Sequence, residues 1–371
     1  MEGPRVEIFQ SADENFHPKL FATRRVTSYI DANMKTSELS YSYPEELVAQ
    51  KPVTDSRVLW VDNNDKWHEA SLEEVKNALR PGDILILNDS GVIPCRVFTD
   101  EGLEILFIRQ EEPLVWQVLF PARNYKLGAE IALPGNLQAK LIAKGLPQKL
   151  QVSEPLKDEY FDRFGELALP PYIQKARGER HNRESEENWY QTDWWKERGS
   201  CAAPTASLHF SKEDVESWQE KGVQIGWVTL HVGLGTFLPV KSENLDEHPM
   251  HSEWCFVPRT TVEMIESTKR RGGRVWALGT TATRTVESWA QGKLREAHEG
   301  WSGETDLFIR PGFEFKVVDV LMTNFHQPQS TLLALVFAFA GKEKVLRAYE
   351  WAVENKFRLF SYGDLSLWQR N

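Results

Sequence analysis

The stretch VQIGWVTLHVGLGTFLPV (Val223–Val240) decides the fold class. An apolar, β-prone run ends at Leu230, and the chain then turns polar and glycine-rich at His231, Gly233 and Gly235. Such a run reads as a buried strand whose carboxyl end opens into a loop. The arrangement recurs along the chain. RVWALG (274–279) runs into TTATRTVESWA, VVDVLMTNF (317–325) into HQPQST and a long helix, and ILILN (84–88) into DSGVIP. In α/β proteins, ligands collect at the carboxyl ends of strands, where loops converge and helix N-termini offer free N–H groups. Four strand ends carrying Asn, His, Thr and Gly are therefore expected to form a single site.

Between Val92 and Pro155 the texture changes. Short β-prone runs, LEILFIR, LVWQVLF, AEIAL and AKLIA, are separated by Gly, Pro and Asn, as in a small antiparallel barrel or sandwich. The fold class expected is α/β: a mixed-sheet body (36–91 and 156–371) with an inserted small antiparallel β-barrel domain (92–155). Residues 1–35 show no clear period and read as a loose extension. YPEELVA reads as a short helix, and SLEEVKNAL opens with the Ser-x-x-Glu of a capping box. No internal repeat is evident.

The 371 residues carry 44 Lys+Arg against 54 Asp+Glu, a formal net charge of −10, which argues against a generic nucleic-acid binder. A local basic patch remains compatible with RNA. Two candidates stand out: Lys175, Arg177, Arg180 and Arg183 first, and Lys269, Arg270 and Arg271 second. For either, a solvated loop or helix end is the default. No apolar run reaches the length of a membrane span; the longest, TLLALVFAFAG (331–341), reads as a buried helix. The N-terminus has no apolar signal-peptide core, and three widely spaced cysteines suggest no disulfide framework. A cytoplasmic protein is expected, as a monomer.

Gly233 and Gly235 let a backbone approach a ligand closely, although Gly-x-Gly alone is also an ordinary tight turn. It is not the dinucleotide fingerprint, since the third glycine is missing. CAAPTASLHF (201–210) is small and nearly uncharged, suited to packing flat on an aromatic ring. Its His209 is a base or a core histidine. GTTATRTVESW (279–289) sets threonine hydroxyls and Arg284 at a strand-to-helix turn, fit for a carboxylate held bidentately. The alternative for Arg284 is a salt bridge to Glu287. HPMHSE (248–253) invites a metal, but Pro249 and the spacing do not match a zinc helix, so no metal is expected. P-loop, nucleophile elbow and Cys-x-x-Cys are all absent from the sequence.

Taken in order, LPPYI, AAPTASLHF, VTLHVGLGTFLPV, HPMHSE, GTTATRTVES, IRPGFEFKVVD, LMTNFHQPQSTLL and FSYGD resemble the S-adenosylmethionine:tRNA ribosyltransferase-isomerase family of queuosine biosynthesis. LNDSGVIPCRV matches its N-terminal segment, so the resemblance runs from about Ser40 to Asp364. It implies an α/β body with an inserted β-barrel. It also implies transfer of the ribosyl part of S-adenosylmethionine to 7-aminomethyl-7-deazaguanine at the tRNA wobble position. The ribosyl unit is isomerised to an epoxycyclopentanediol, giving epoxyqueuosine-tRNA, and adenine and methionine leave. S-adenosylmethionine is consumed as co-substrate, with no further cofactor implied.

On that resemblance, His231, His209 and His326 are the candidate acid–base groups, His231 first because glycines flank it. Ala203, Pro204 and Thr205 are assigned to the adenine pocket. Gly233, Gly235 and Thr236 line the approach, Thr280, Thr281 and Arg284 hold the methionine carboxylate, and Asn324 orients the ribose hydroxyls. The basic residues above would contact tRNA. Two positions depart from the family pattern: Gly91 stands where Asn-x-Thr-Arg has arginine, and Ser207 where Thr-Ala-Gly-Leu-His-Phe has glycine. The rival functions are a methyltransferase using the same donor and a non-catalytic tRNA-binding relative.

Overall fold

The computed structural model describes residues 34–183, 185–233, 235, 240 and 242–370. Most of the expected N-terminal extension, residues 1–33, lies outside the described residues, as does Thr236.

A ten-stranded mixed sheet forms the body. Its central members are β1 (Arg57–Val61), β2 (Ile84–Asn88), β3 (Gln224–Leu230), β4 (Glu253–Pro258), β5 (Val275–Leu278), β6 (Val320–Asn324) and β7 (Leu365–Gln369). They lie side by side in the order β4, β3, β2, β5, β6, β7, β1. Strands β3, β2, β5 and β6 run parallel. The side chains of β2, β5 and β6 are all buried, which explains why their sequences are continuously apolar rather than alternating. β4 is antiparallel to β3, β7 is antiparallel to β6, and β1 is parallel to β7. One edge of the body therefore gathers the carboxyl ends of β2, β3, β5 and β6 with the starts of β4, β7 and β1. The four strand ends singled out from the sequence are neighbours.

The helices cover both faces. α1 (Arg259–Arg270) follows β4, α2 (Gly279–Ala290) springs directly from β5, and α3 (Thr331–Ala340) is the apolar run already read as a buried helix. The capping box at Ser71 is present, with the Ser71 hydroxyl accepting from the Glu74 N–H. YPEELVA makes only a single 3₁₀ turn, Glu45–Leu47.

A second sheet of seven antiparallel strands carries the order Gly165–Glu166, Arg96–Phe98, Glu104–Glu112, Val115–Leu119, Gln148–Val152, Leu137–Ala143, Glu130–Leu133. It has its own core, in which Phe107, Trp116 and Phe161 meet edge to face. Where a small antiparallel barrel is expected, the two outermost strands are not paired with each other and the sheet is a curled half-barrel. Its end strand Gly165–Glu166 comes from beyond residue 155.

Candidate functional site

Two polar clusters sit on the strand-end edge. The first is built on β6. Asn324 ends that strand, and the 3₁₀ segment Thr205–His209 crosses over it. The Thr205 hydroxyl donates to Asn324 Oδ1 at 2.8 Å. The Asn324 amide nitrogen lies 3.3 Å from His209 Nε2, and Ser56 Oγ lies 2.7 Å from His209 Nδ1. Ser56 immediately precedes β1, so the register β1–β7–β6 brings it to the same edge. Burial pulls the His209 pKa down to about 4.

The second cluster is built on β3 and β4. The His231 ring stacks on Trp254, with centroids 5.3 Å apart and planes 19° apart. On another side it meets Gly199, where an added Cβ would lie 3.0 Å from His231 Nε2. Gly199 has φ +145°, which a side chain rarely adopts. Burial pulls the His231 pKa down to about 4. Beside it, the Gly233 N–H donates to Glu253 Oε1 at 2.9 Å, and Glu253 Oε2 pairs with Arg284 Nη1. Arg284 Nε donates to the Leu307 carbonyl at 3.2 Å.

α2 joins the clusters. Its first residue, Gly279, has φ +90°, and an added Cβ there would stand 3.7 Å from the Ala206 methyl of the crossing segment. Along this edge four buried polar atoms find no partner among the described residues: His231 Nδ1, Ser207 Oγ, Thr281 Oγ1 and Arg284 Nη2. Buried polar groups are nearly always hydrogen-bonded, so unpaired donors and acceptors along one edge suit a polar ligand there.

Ala203, Pro204, Thr205, Thr280, Thr281, Arg284, Asn324, His209, His231 and Gly233 all belong to this edge. Gly233 and Gly235 do not have a left-handed φ, and among the described residues nothing approaches an added Cβ closer than 3.8 Å. Arg284 does not pair with Glu287, which instead accepts the N–H groups of Lys316, Val317 and Val318. With Nε and Nη1 committed, Arg284 offers Nη2 rather than a bidentate fork. His326 lies in the core: its Nε2 is 2.9 Å from Thr323 Oγ1, and burial pulls its pKa to about 3.

The basic residues are placed less favourably. Arg177 is buried against Glu186. Lys175 pairs with Glu45 at 2.9 Å, Arg180 with Glu104 at 2.7 Å and Arg183 with Glu179 at 2.9 Å. Lys269, Arg270 and Arg271 end α1 at the opposite edge, where Arg271 bonds Gln224 at the start of β3. Sequence reasoning missed Ser56, Gly199 and Trp254. A lone polar residue before a strand, an isolated glycine and a tryptophan in a strand are too common to signal a site. Among the described residues there is no group of three or more His, Cys, Asp and Glu able to hold a metal, and no helix long and apolar enough to cross a membrane.

A family model described as "Queuosine biosynthesis protein" matches residues 36–368. The chain belongs to the queuosine biosynthesis protein family. An S-adenosylmethionine:tRNA ribosyltransferase-isomerase of Thermotoga maritima is 43% identical over 344 residues, covering 90% of this chain and 99% of that relative. The same-named protein of a Sulfurihydrogenibium species is 41% identical over 346 residues, covering 90% of this chain and 99% of the relative. A crystal structure of S-adenosylmethionine tRNA ribosyltransferase from Thermotoga maritima superposes with a TM-score of 0.51 at 35% identity, covering 89% of this chain and 99% of that one.

Gly91 is the first of the two positions where the resemblance leads one to expect a different residue. An added Cβ at Gly91 would stand 2.6 Å from Trp195 Cε3, so the indole fills the space a longer side chain needs. The other departure, Ser207, contributes one of the unpaired buried hydroxyls.

Proposed function

We propose that this member of the queuosine biosynthesis family transfers the ribosyl part of S-adenosylmethionine to 7-aminomethyl-7-deazaguanine at the wobble position of tRNA. The ribosyl unit is isomerised to the epoxycyclopentanediol, and adenine and methionine are released. The observation that carries this reading is the set of buried polar atoms along the strand-end edge without a partner among the described residues, inside a chain similar over 90% of its length to an enzyme of that name.

The nucleophile is the aminomethyl group of the base, so the protein must orient it and assist departure of adenine. His231, neutral down to about pH 4, accepts a hydrogen bond from the amine and aims its lone pair at the ribosyl carbon. Trp254, stacked on His231 and 39% exposed, extends an aromatic surface beside the splayed-out base. Ala203, Pro204 and Thr205 line the adenine pocket. Arg284 Nη2 and the Thr281 hydroxyl take the methionine carboxylate, and Asn324 with His209 orients ribose hydroxyls. The half-barrel, residues 92–155 in the main, is an insertion in the α/β body. The enzyme acts as a cytoplasmic monomer, with no metal in the reaction.

The deciding experiment incubates the protein with S-adenosylmethionine and tRNA carrying the deazaguanine precursor. Freed adenine, freed methionine and a nucleoside of epoxyqueuosine mass are expected. S-adenosylhomocysteine would favour a methyltransferase instead, and binding without product a non-catalytic relative.

A further inference from the structure

The chain needs an RNA-binding surface if the preceding proposal holds, yet the basic residues of 175–183 are neutralised by carboxylates. A different surface carries unneutralised charge. Residues 122–146 contain Arg123, Lys126, Lys140 and Lys144 against a single acid, Glu130, in a protein whose net charge is −10. All four cations are exposed, and none forms an ion pair among the described residues. Lys140 does face Glu130 across the strand pair.

The four belong to one edge of the half-barrel. Lys140, Ile142 and Lys144 share the outward side of Leu137–Ala143 and its end. The turn bearing Lys126 closes on that strand through a 2.8 Å bond from the Gly128 N–H to the Leu141 carbonyl. Arg123 and Lys144 both line an open hollow of about 710 Å³, together with Phe120, Asn124, Gly145 and Gln148. The same edge exposes Leu127, Ile142 and Leu146, three of the five exposed large apolar side chains among the described residues. Cations mixed with exposed apolar surface around a hollow are unusual for a face that meets only water.

The edge also has a defined relation to the candidate site. Ile108, on strand Glu104–Glu112 of the same sheet, lies 3.8 Å from where a Cβ on Gly233 would stand. Three strand spacings separate that strand from Leu137–Ala143, a distance of roughly 15 Å. One hairpin of RNA can therefore reach both.

We propose that this edge, centred on Arg123, Lys126, Lys140 and Lys144, grips the phosphate backbone of the substrate RNA beside the loop whose base enters the site. The proposal rests on the tRNA reading for its ligand. Its contacts are to phosphate, so they supply affinity and register rather than base specificity.

The test uses the full chain and two probes. Binding is measured with an unmodified tRNA transcript over a salt series, and turnover with precursor-bearing tRNA. In Arg123→Ala/Lys144→Ala, transcript affinity should fall at least tenfold. The slope of log affinity against log salt should shrink by about 1.5, roughly 0.7–0.9 per lost phosphate contact. Arg123→Lys/Lys144→Arg should bind like the parent, which separates lost charge from misfolding. S-adenosylmethionine binding should not change. Parent-like affinity and slope in the alanine variant would overturn the proposal. So would a change in sedimentation without a change in RNA binding, which would make the edge a contact between copies. Weakened transcript binding in a protein that releases no adenine would support the edge and sink the ribosyl-transfer reading.

Discussion

Thr205 and Asn324, 119 residues apart in sequence, are joined by a hydrogen bond that fixes the protonation of a third residue. The Thr205 hydroxyl donates to Asn324 Oδ1 at 2.8 Å, so the amide NH₂ is turned toward His209 Nε2, 3.3 Å away. An NH₂ can only donate, so Nε2 carries the lone pair and Nδ1 the hydrogen, which it gives to Ser56 Oγ at 2.7 Å. A neutral imidazole is thus held in one tautomer, in keeping with its pKa of about 4.

Asn324→Asp tests this chain of bonds. The carboxylate keeps the shape but replaces a donor with a negative charge beside Nε2. The imidazolium is then favoured, and the His209 pKa should rise from about 4 toward or above its ordinary value. Histidine proton chemical shifts followed by NMR between pH 4 and 8 read this directly. An unmoved His209 titration would show that Asn324 does not face Nε2 as a donor.

The Glu253–Arg284 pair yields a second expectation. Both side chains are buried, with only 3% and 7% exposed. Removing one charge strands the other in a dry site, so Arg284→Met should lose about 3–5 kcal/mol of stability. Adding Glu253→Gln should recover most of that loss. Binding of S-adenosylmethionine should stay weak in the double variant, because Nη2 is gone in both. Urea unfolding and calorimetric titration supply the two readouts. Recovery of binding together with stability would remove Arg284 from the substrate site.

Gly91 and Trp195 give a third. In Gly91→Arg the new Cβ meets the indole at 2.6 Å, forcing Trp195 from its position. Overpacking of this kind costs about 1–3 kcal/mol. Trp195→Ala opens the space, so Gly91→Arg should be better tolerated in that background, with a coupling of at least 1 kcal/mol in a double-mutant cycle. Additive melting shifts would mean that the glycine and the tryptophan are independent.

These relationships also show what the sequence could and could not convey. β2 and β5 were legible because burial on both faces leaves continuous apolar runs, and the strand-end polar residues were legible because each interrupts such a run. Strand β6 was anticipated from Val317 but begins at Val320, since the three N–H groups of 316–318 are taken by Glu287 rather than by the sheet. Strand spacing reports how many strands exist, not whether the first and last meet, so it could not tell a barrel from the curled half-barrel. The alternative of a salt bridge from Arg284 to Glu287 rests on helical spacing, which is local, whereas its partner Glu253 stands on β4, a separate element. The basic run at 175–183 looked free for the same reason: Glu45, Glu104 and Glu186 reach it only through the fold.

The pH dependence of turnover follows from His231. An unburied histidine titrates near 6.5, and an enzyme using one as a base loses activity as pH falls through that value. Here burial holds His231 neutral to about pH 4, so kcat at saturating substrates should show no histidine limb between pH 5 and 8. The sign for stability is the matching one. The unfolded chain binds the proton at 6.5 and the folded chain only near 4, so stability is full above pH 6.5 and declines as pH falls toward 4. His231→Gln keeps a hydrogen-bonding group but no imidazole. It should lower kcat by about a hundredfold or more and flatten the acid loss of stability, leaving the shape of the kcat profile unchanged. A limb near pH 6.5 that disappears in His231→Gln would mean that the ring is solvated in the working enzyme, and would unseat it from the pocket formed by Gly199 and Trp254.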